Sequence, residues 1–208
     1  MNQNDNPNPL CINEITGTNL WIGNLQSLKE IPKISKHRDQ GWTIVSVVAS
    51  DKIVQFTRLA VKALNTGSST LQHQHHTWQL ADNSHCNFLC DRLVELLAVL
   101  DEAEAHARPC LVHCAMGVSR SAALCAAWLL HNNSSRSSRH TTVAAALVTL
   151  RNARPGVQPN RGLMAALRAI ELQGSVSEAI RLAQKQPQPQ PTSLPQETNA
   201  VVDRTTQT

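Results

Sequence analysis

Cys114 and Arg120 stand five residues apart with Gly117 between them, in the run His113-Cys114-Ala115-Met116-Gly117-Val118-Ser119-Arg120-Ser121. A thiol becomes a strong nucleophile once it loses its proton, and a guanidinium offers a planar fork that binds two oxygens of one anion. A phosphate carries roughly −1.5 to −2 charges and three strong acceptor oxygens at neutral pH. Holding one needs many donors close together. Arg120 and the backbone N–H groups from Ala115 through Met116, Gly117, Val118 and Ser119 to Arg120 form such a set, and glycine at 117 permits the backbone turn a cradle requires. The chemistry expected is attack of the Cys114 thiolate on phosphorus. Ser121 can donate a hydrogen bond to the sulfur and ease its departure when the thiophosphate is hydrolysed. His113 can bond nearby backbone and hold the loop open. The leaving oxygen departs poorly as an anion, so a carboxylic acid is needed as proton donor.

The residues around this loop say how it is positioned. Cys110-Leu111-Val112 is an apolar run before it, and Ala122 to Leu130 is a helix-forming run after it. Strand, tight loop and helix place the thiol at the positive end of a helix dipole, where unpaired N–H groups hold anions and lower a thiol pKa. Elsewhere the pattern predicts strands over 19–23, 43–48 and 77–80. It predicts helices over 26–39 (interrupted by Pro32), 56–64, 93–107, from Ser119 onward, over 142–153, and from Asn160 to Gly174. Residues 65–76 and 132–140 read as polar loops. Strands alternating with helices indicate an α/β fold with a central, mostly parallel twisted sheet flanked by helices. The expected organisation is a disordered tail over 1–12, a catalytic domain over 13–174, a short helix over 175–183 opened by the capping-box spacing of Ser175 and Glu178, and a disordered Gln/Pro/Thr-rich tail over 184–208.

Composition narrows the partners. The chain of 208 residues carries 19 Lys and Arg against 15 Asp and Glu, a net +4 spread along the sequence rather than clustered. That favours an anionic substrate over nucleic acid. No apolar run approaches the roughly 18 residues of a membrane span, and the Asn/Pro-rich start is unlike a secretory signal. The six cysteines are therefore expected to be reduced, in the cytoplasm or the nucleus. His73-Gln74-His75-His76 has no carboxylate or cysteine at ligand spacing, so no metal is expected there. Cys86 and Cys90, four apart, read as packing residues; a redox role toward an oxidised Cys114 is the sharper alternative.

The nine-residue run resembles the signature of the dual-specificity branch of the cysteine-based protein tyrosine phosphatases, and its Gly-Val-Ser-Arg-Ser ending favours that branch over the tyrosine-specific and lipid enzymes. Leu20-Trp21-Ile22-Gly23 resembles the family's opening strand, with Trp21 where tyrosine is common. Arg154-Pro155-Gly156-Val157-Gln158-Pro159-Asn160 resembles its segment before the last helix. Asp82-Asn83 opens a segment similar to its general-acid loop. The resemblance covers about residues 12–174, as in a small member without a kinase-docking domain. It implies the phosphatase fold, no cofactor or metal, Asp82 as general acid 32 residues before Cys114, and Asn160 as a support of the phosphate loop as well as a helix cap. Asp91 and Asp101 are the competing carboxylates, but both fall at or within a predicted helix. The implied substrates are proteins phosphorylated on tyrosine and on serine or threonine. A phosphate-binding module without catalysis would need neither the thiol nor the acid. A phosphoinositide, phosphoglucan or RNA 5′ end would be better served by added cations at 115, 116 and 118, which are uncharged here.

Overall fold

The computed structural model describes residues 8–37, 40–66, 72–83, 85, 87–132 and 142–185. Among these residues five strands form one sheet: β1 (Ile12–Glu14), β2 (Leu20–Gly23), β3 (Thr43–Val48), β4 (Gln74–Gln79) and β5 (Cys110–His113), in the order β1-β2-β5-β3-β4. Only β1 runs antiparallel to its neighbour; β2, β5, β3 and β4 are parallel. β5, which leads into the Cys114 loop, sits at the centre. The β-branched, uncharged residues of β3 and the apolar run of β5 suit strands buried on both faces, and every residue of both is buried.

Among the described residues there are six α-helices, in chain order α1 (Asp51–Thr66), α2 (Asp91–Ala105), α3 (Arg120–His131), α4 (Val143–Ala153), α5 (Arg161–Gln173) and α6 (Val176–Lys185). One face of the sheet packs Leu20, Ile22, Val45, Val47, Cys110 and Val112 against α2 to α6. The other packs Trp21, Ile44 and Leu111 against Val61 of α1 and Leu28, Ile31 and Ile34. α3 is buried along its whole first two turns and beyond, because Ala122, Ala123, Ala126 and Ala127 let it lie close against its neighbours. Among the described residues no helix is long and apolar enough to cross a membrane.

Several boundaries differ from the sequence reading. The helix expected over 26–39 is three short 3₁₀ turns, Leu25–Lys29, Ile31–Lys33 and Ser35–His37. Pro32 cannot donate an interior helical hydrogen bond, and the turns restart around it while Leu28, Ile31 and Ile34 still reach the core. The helix expected over 56–64 spans 51–66, and the polar loop expected over 65–76 gives way to β4 from Gln74. β4 is an edge strand that is polar except for Trp78, so its first half carries no apolar signal; its backbone pairing with β3 from Thr43↔Gln74 to Val48↔Gln79 defines it. β1 escaped the sequence reading because three residues are too short for a periodicity. α6 joins the main core through Val176, Ala179 and Ile180. Residues 1–7, 133–141 and 186–208 and Cys86, on which most of the expected tails, most of the expected 132–140 loop and the Cys86 reading fall, lie outside the described residues.

Candidate active site

The loop from Cys114 to Ser119 joins β5 to α3. Its carbonyls are drawn outward one after another. The Ala115 carbonyl accepts from the Leu25 N–H at 3.2 Å, and the Val118 carbonyl from the Gln158 N–H at 2.9 Å. Arg154 takes the two between them, through Nε to the Gly117 carbonyl at 2.9 Å and Nη2 to the Met116 carbonyl at 3.1 Å. With four successive carbonyls held on the outside, the N–H groups are left to converge on the inside. Gly117 makes this turn possible. Its φ is +70°, and a Cβ there would stand 2.6 Å from the Gly23 carbonyl carbon and oxygen and 2.9 Å from Arg154 Nε.

Cys114 lies at the base of this loop, 1% exposed. Its Sγ accepts the Gly117 N–H at 3.2 Å and lies 3.2 Å from Ser121 Oγ. Burial pushes the thiol pKa up. The Ser121 hydroxyl and the N–H groups of Ser121, Gly117 and Val118 outweigh it, so the thiol falls below its ordinary range. The thiolate is thus held by donors fixed in advance, at the N-terminus of α3. Ser119 caps that helix without turning its hydroxyl back onto it, which leaves the first-turn N–H groups without a capping oxygen.

That hydroxyl goes to Asp82 instead. Ser119 Oγ donates to Asp82 Oδ1 at 2.7 Å, and Asn160 Nδ2 donates to the same oxygen at 2.6 Å. Asp82 Oδ2 lies 3.4 Å from Arg120 Nε. Arg120 is 6% exposed and donates through Nη1 to the Leu80 carbonyl at 3.3 Å, tying the guanidinium to the segment that carries Asp82. Trp78 of β4 stacks on Phe88 with ring centroids 5.4 Å apart, which anchors both ends of the Asp82 loop to the core. Asn160 does two things at once. Its Oδ1 accepts the Leu163 N–H and caps α5, while its backbone N–H donates to Ser119 Oγ.

Cys114, Arg120, Asp82, Ser121, Ser119 and Asn160 therefore meet at one place, around the loop backbone of Ala115 to Val118. Met116 projects outward, 72% exposed, at the rim. The competing carboxylates lie apart from this cluster. Asp91 opens α2, and Asp101 accepts from Trp128 Nε1 at 2.9 Å. The histidine segment is not the solvated loop it resembled: it forms the start of β4, with His73 Nδ1 accepting the Trp42 N–H and His75 Nε2 beside Ser46 Oγ. Cys90 precedes α2 as its cap residue, partly buried. Arg154 is a residue whose part in shaping the loop the sequence reading did not assign. Its signal was present in the Arg-Pro segment, but two of its four partners are the Gly117 and Met116 carbonyls of the loop, and the other two, the Leu10 carbonyl and Asn13 Oδ1, come from the far end of the chain.

A parallel α/β sheet that delivers a thiolate into an oxyanion cradle at a helix N-terminus, with a guanidinium and a carboxylate facing it, defines a cysteine-based phosphatase architecture. The chain belongs to the dual specificity phosphatase catalytic-domain family, whose model matches residues 43–173. It is 31% identical over 147 residues to the tyrosine-protein phosphatase yvh1 of Schizosaccharomyces pombe, covering 68% of this chain and 42% of that protein. It is 30% identical over 128 residues to human dual specificity protein phosphatase 18, covering 61% of this chain and 63% of that one. The chain thus spans less than two thirds of the length of either relative. Among solved structures, the Yvh1 phosphatase domain from Chaetomium thermophilum superposes with a TM-score of 0.58 at 26% identity, over 79% of this chain and 97% of that domain.

Proposed function

We propose that the chain hydrolyses phosphotyrosine and phosphoserine or phosphothreonine in proteins through a cysteinyl-phosphate. The Cys114 thiolate attacks phosphorus, the S–P bond forms as the ester P–O bond breaks, and Asp82 gives its proton to the departing oxygen. Asp82 then takes a proton from water as water attacks the phosphorus, and the thiolate leaves with its charge held by Ser121. Arg120 and the N–H groups of 115–120 hold the phosphate oxygens throughout. The scheme uses no metal and no cofactor.

The observation that carries this reading is the thiol of Cys114, buried yet held toward its thiolate by Ser121 and the loop N–H groups. A loop that only bound phosphate would gain nothing from such a group. Protein substrates are favoured over more highly charged esters because Ala115, Met116 and Val118 add no cation to Arg120 at the cradle. A reactive thiolate also suits the reducing cytoplasm or nucleus. We assign the catalytic unit to about residues 13–174.

A leaving-group series tests the assignment of Asp82. Asp82→Asn should cost about 10²–10⁴-fold in kcat with basic leaving groups and little with good ones, because the proton matters only when the departing oxygen is basic. An equal loss for all leaving groups would make Asp82 structural.

A further inference from the structure

The hydrogen bonds behind the loop continue across the sheet. Ser46 of β3 is fully buried, and its hydroxyl oxygen lies 2.7 Å from His113 Nε2 and 2.8 Å from His75 Nε2. Ser46 pairs with His113 on β5 and with Thr77 on β4, so His75, two residues before Thr77, shares their face. The three side chains make one row over three parallel strands, ending at the residue before Cys114.

A hydroxyl has one proton to give. Were both Nε2 atoms unprotonated, Ser46 could serve only one of them. Were both protonated, Ser46 would accept twice and its own proton would be stranded in the core, which is costly. One ring must therefore donate to Ser46 and the other accept from it. Burial lowers both imidazoles to about 4, so near neutral pH each carries a single ring proton and its position is a choice between tautomers. His113 Nδ1 breaks the symmetry. It is buried, has no well-formed hydrogen bond, and lies against the Cys114 backbone, which acts on the ring as an acceptor. A lone pair on Nδ1 would face another lone pair there; a proton would not.

We propose that Ser46 and His75 are positioning residues that hold the His113 proton on Nδ1, aimed at the Cys114 carbonyl, so that this carbonyl stays out of the phosphate cradle. Hydrogen bonds then run one way: His75 Nε2–H to Ser46 Oγ, Ser46 O–H to His113 Nε2, and His113 Nδ1–H to the Cys114 carbonyl. A carbonyl released from His113 is free to turn toward the sulfur and oppose its negative charge. This inference rests on reading Cys114 as the attacking group, but its first test does not.

Long-range ¹⁵N NMR of the full chain, with the rings assigned through His75→Gln, reads the tautomers directly. The expected result is His113 protonated on Nδ1 and His75 on Nε2. His113 protonated on Nε2 overturns the proposal. The rate of Cys114 alkylation by iodoacetate, followed against pH, gives the second readout. Ser46→Ala and His75→Phe should slow it at mildly acidic pH by about threefold to tenfold as the thiol pKa rises. His75→Gln, whose amide still donates to Ser46, should alkylate like wild type. Unchanged alkylation in folded His75→Phe or Ser46→Ala would overturn the proposal, and the tautomer result on the wild type decides it if neither variant folds. Should Cys114 not be the attacking group, alkylation would leave turnover intact in every variant while the tautomers stayed as stated, so the two readings fail separately.

Discussion

At Cys114 burial and hydrogen bonding pull in opposite directions, and the balance is set by few atoms. The Ser121 hydroxyl is the largest of the influences that favour the thiolate. Ser121→Ala should therefore raise the thiol pKa. Since the thiolate is the reactive form, the fall in rate on acidification should begin at a higher pH than in wild type. The sulfur is also a poorer leaving group without that bond. A hydrogen bond to a charged group contributes about 1.5–3 kcal/mol, so a loss in kcat of about 10–100-fold with little change in KM is expected, read from a pH–rate profile. An acid limb that stays in place would remove Ser121 from the site. The residue types of the loop made this much legible in the sequence, since thiol, glycine, serine and arginine each have a stated task at a fixed spacing. Ser119 was legible only as backbone. Its hydroxyl bridges Asp82 and Asn160, which lie 37 and 41 residues away, and no local pattern reports such a meeting.

The β5–loop–α3 element shows why geometry at 117 matters as much as chemistry at 114. Gly117→Ala would put a methyl group into the Gly23 carbonyl and against Arg154 while forcing a side chain into the left-handed region. The loop must shift, and displacements near 1 Å at a reacting centre cost on the order of 10²-fold. We expect kcat/KM for an aryl phosphate to fall by about that factor while circular dichroism shows the fold retained; wild-type turnover would mean the turn is not needed. The strands β3 and β5 were legible because they are buried on both faces and read as largely apolar, uncharged runs rich in β-branched residues. The 3₁₀ turns after β2 were not, since their apolar spacing mimics a helix and only Pro32 hinted otherwise. β4 was legible only at its C-terminal end, where Trp78 is buried, because its first residues, Gln, His and Thr, are held by the backbone of β3 and give no apolar signal.

Across the whole molecule, acid should be destabilising well above the carboxylate range. His113 and His75 are pushed down to about 4 in the folded protein, from an ordinary value of 6.5, by burial first of all. The unfolded chain therefore binds more protons between those values. Stability is complete above about 6.5 and is lost as pH falls toward 4. His37, His73 and His76 are lowered as well, so they act in the same direction. Urea midpoints should drop between about pH 7 and pH 5, and less steeply in His75→Gln; a midpoint that does not move would contradict the burial of these rings. The sequence could not show this, since three of the histidines read as a solvated loop until the sheet brought them inside.

In the proposed mechanism phosphorus passes through the sulfur of Cys114. Mass spectrometry of the enzyme acid-quenched during turnover of an aryl phosphate tests it directly. A phosphate adduct is expected on the peptide containing Cys114, absent in Cys114→Ser, which should also be inactive. Steady turnover by wild type with Cys114 unmodified, together with turnover by Cys114→Ser, would contradict it.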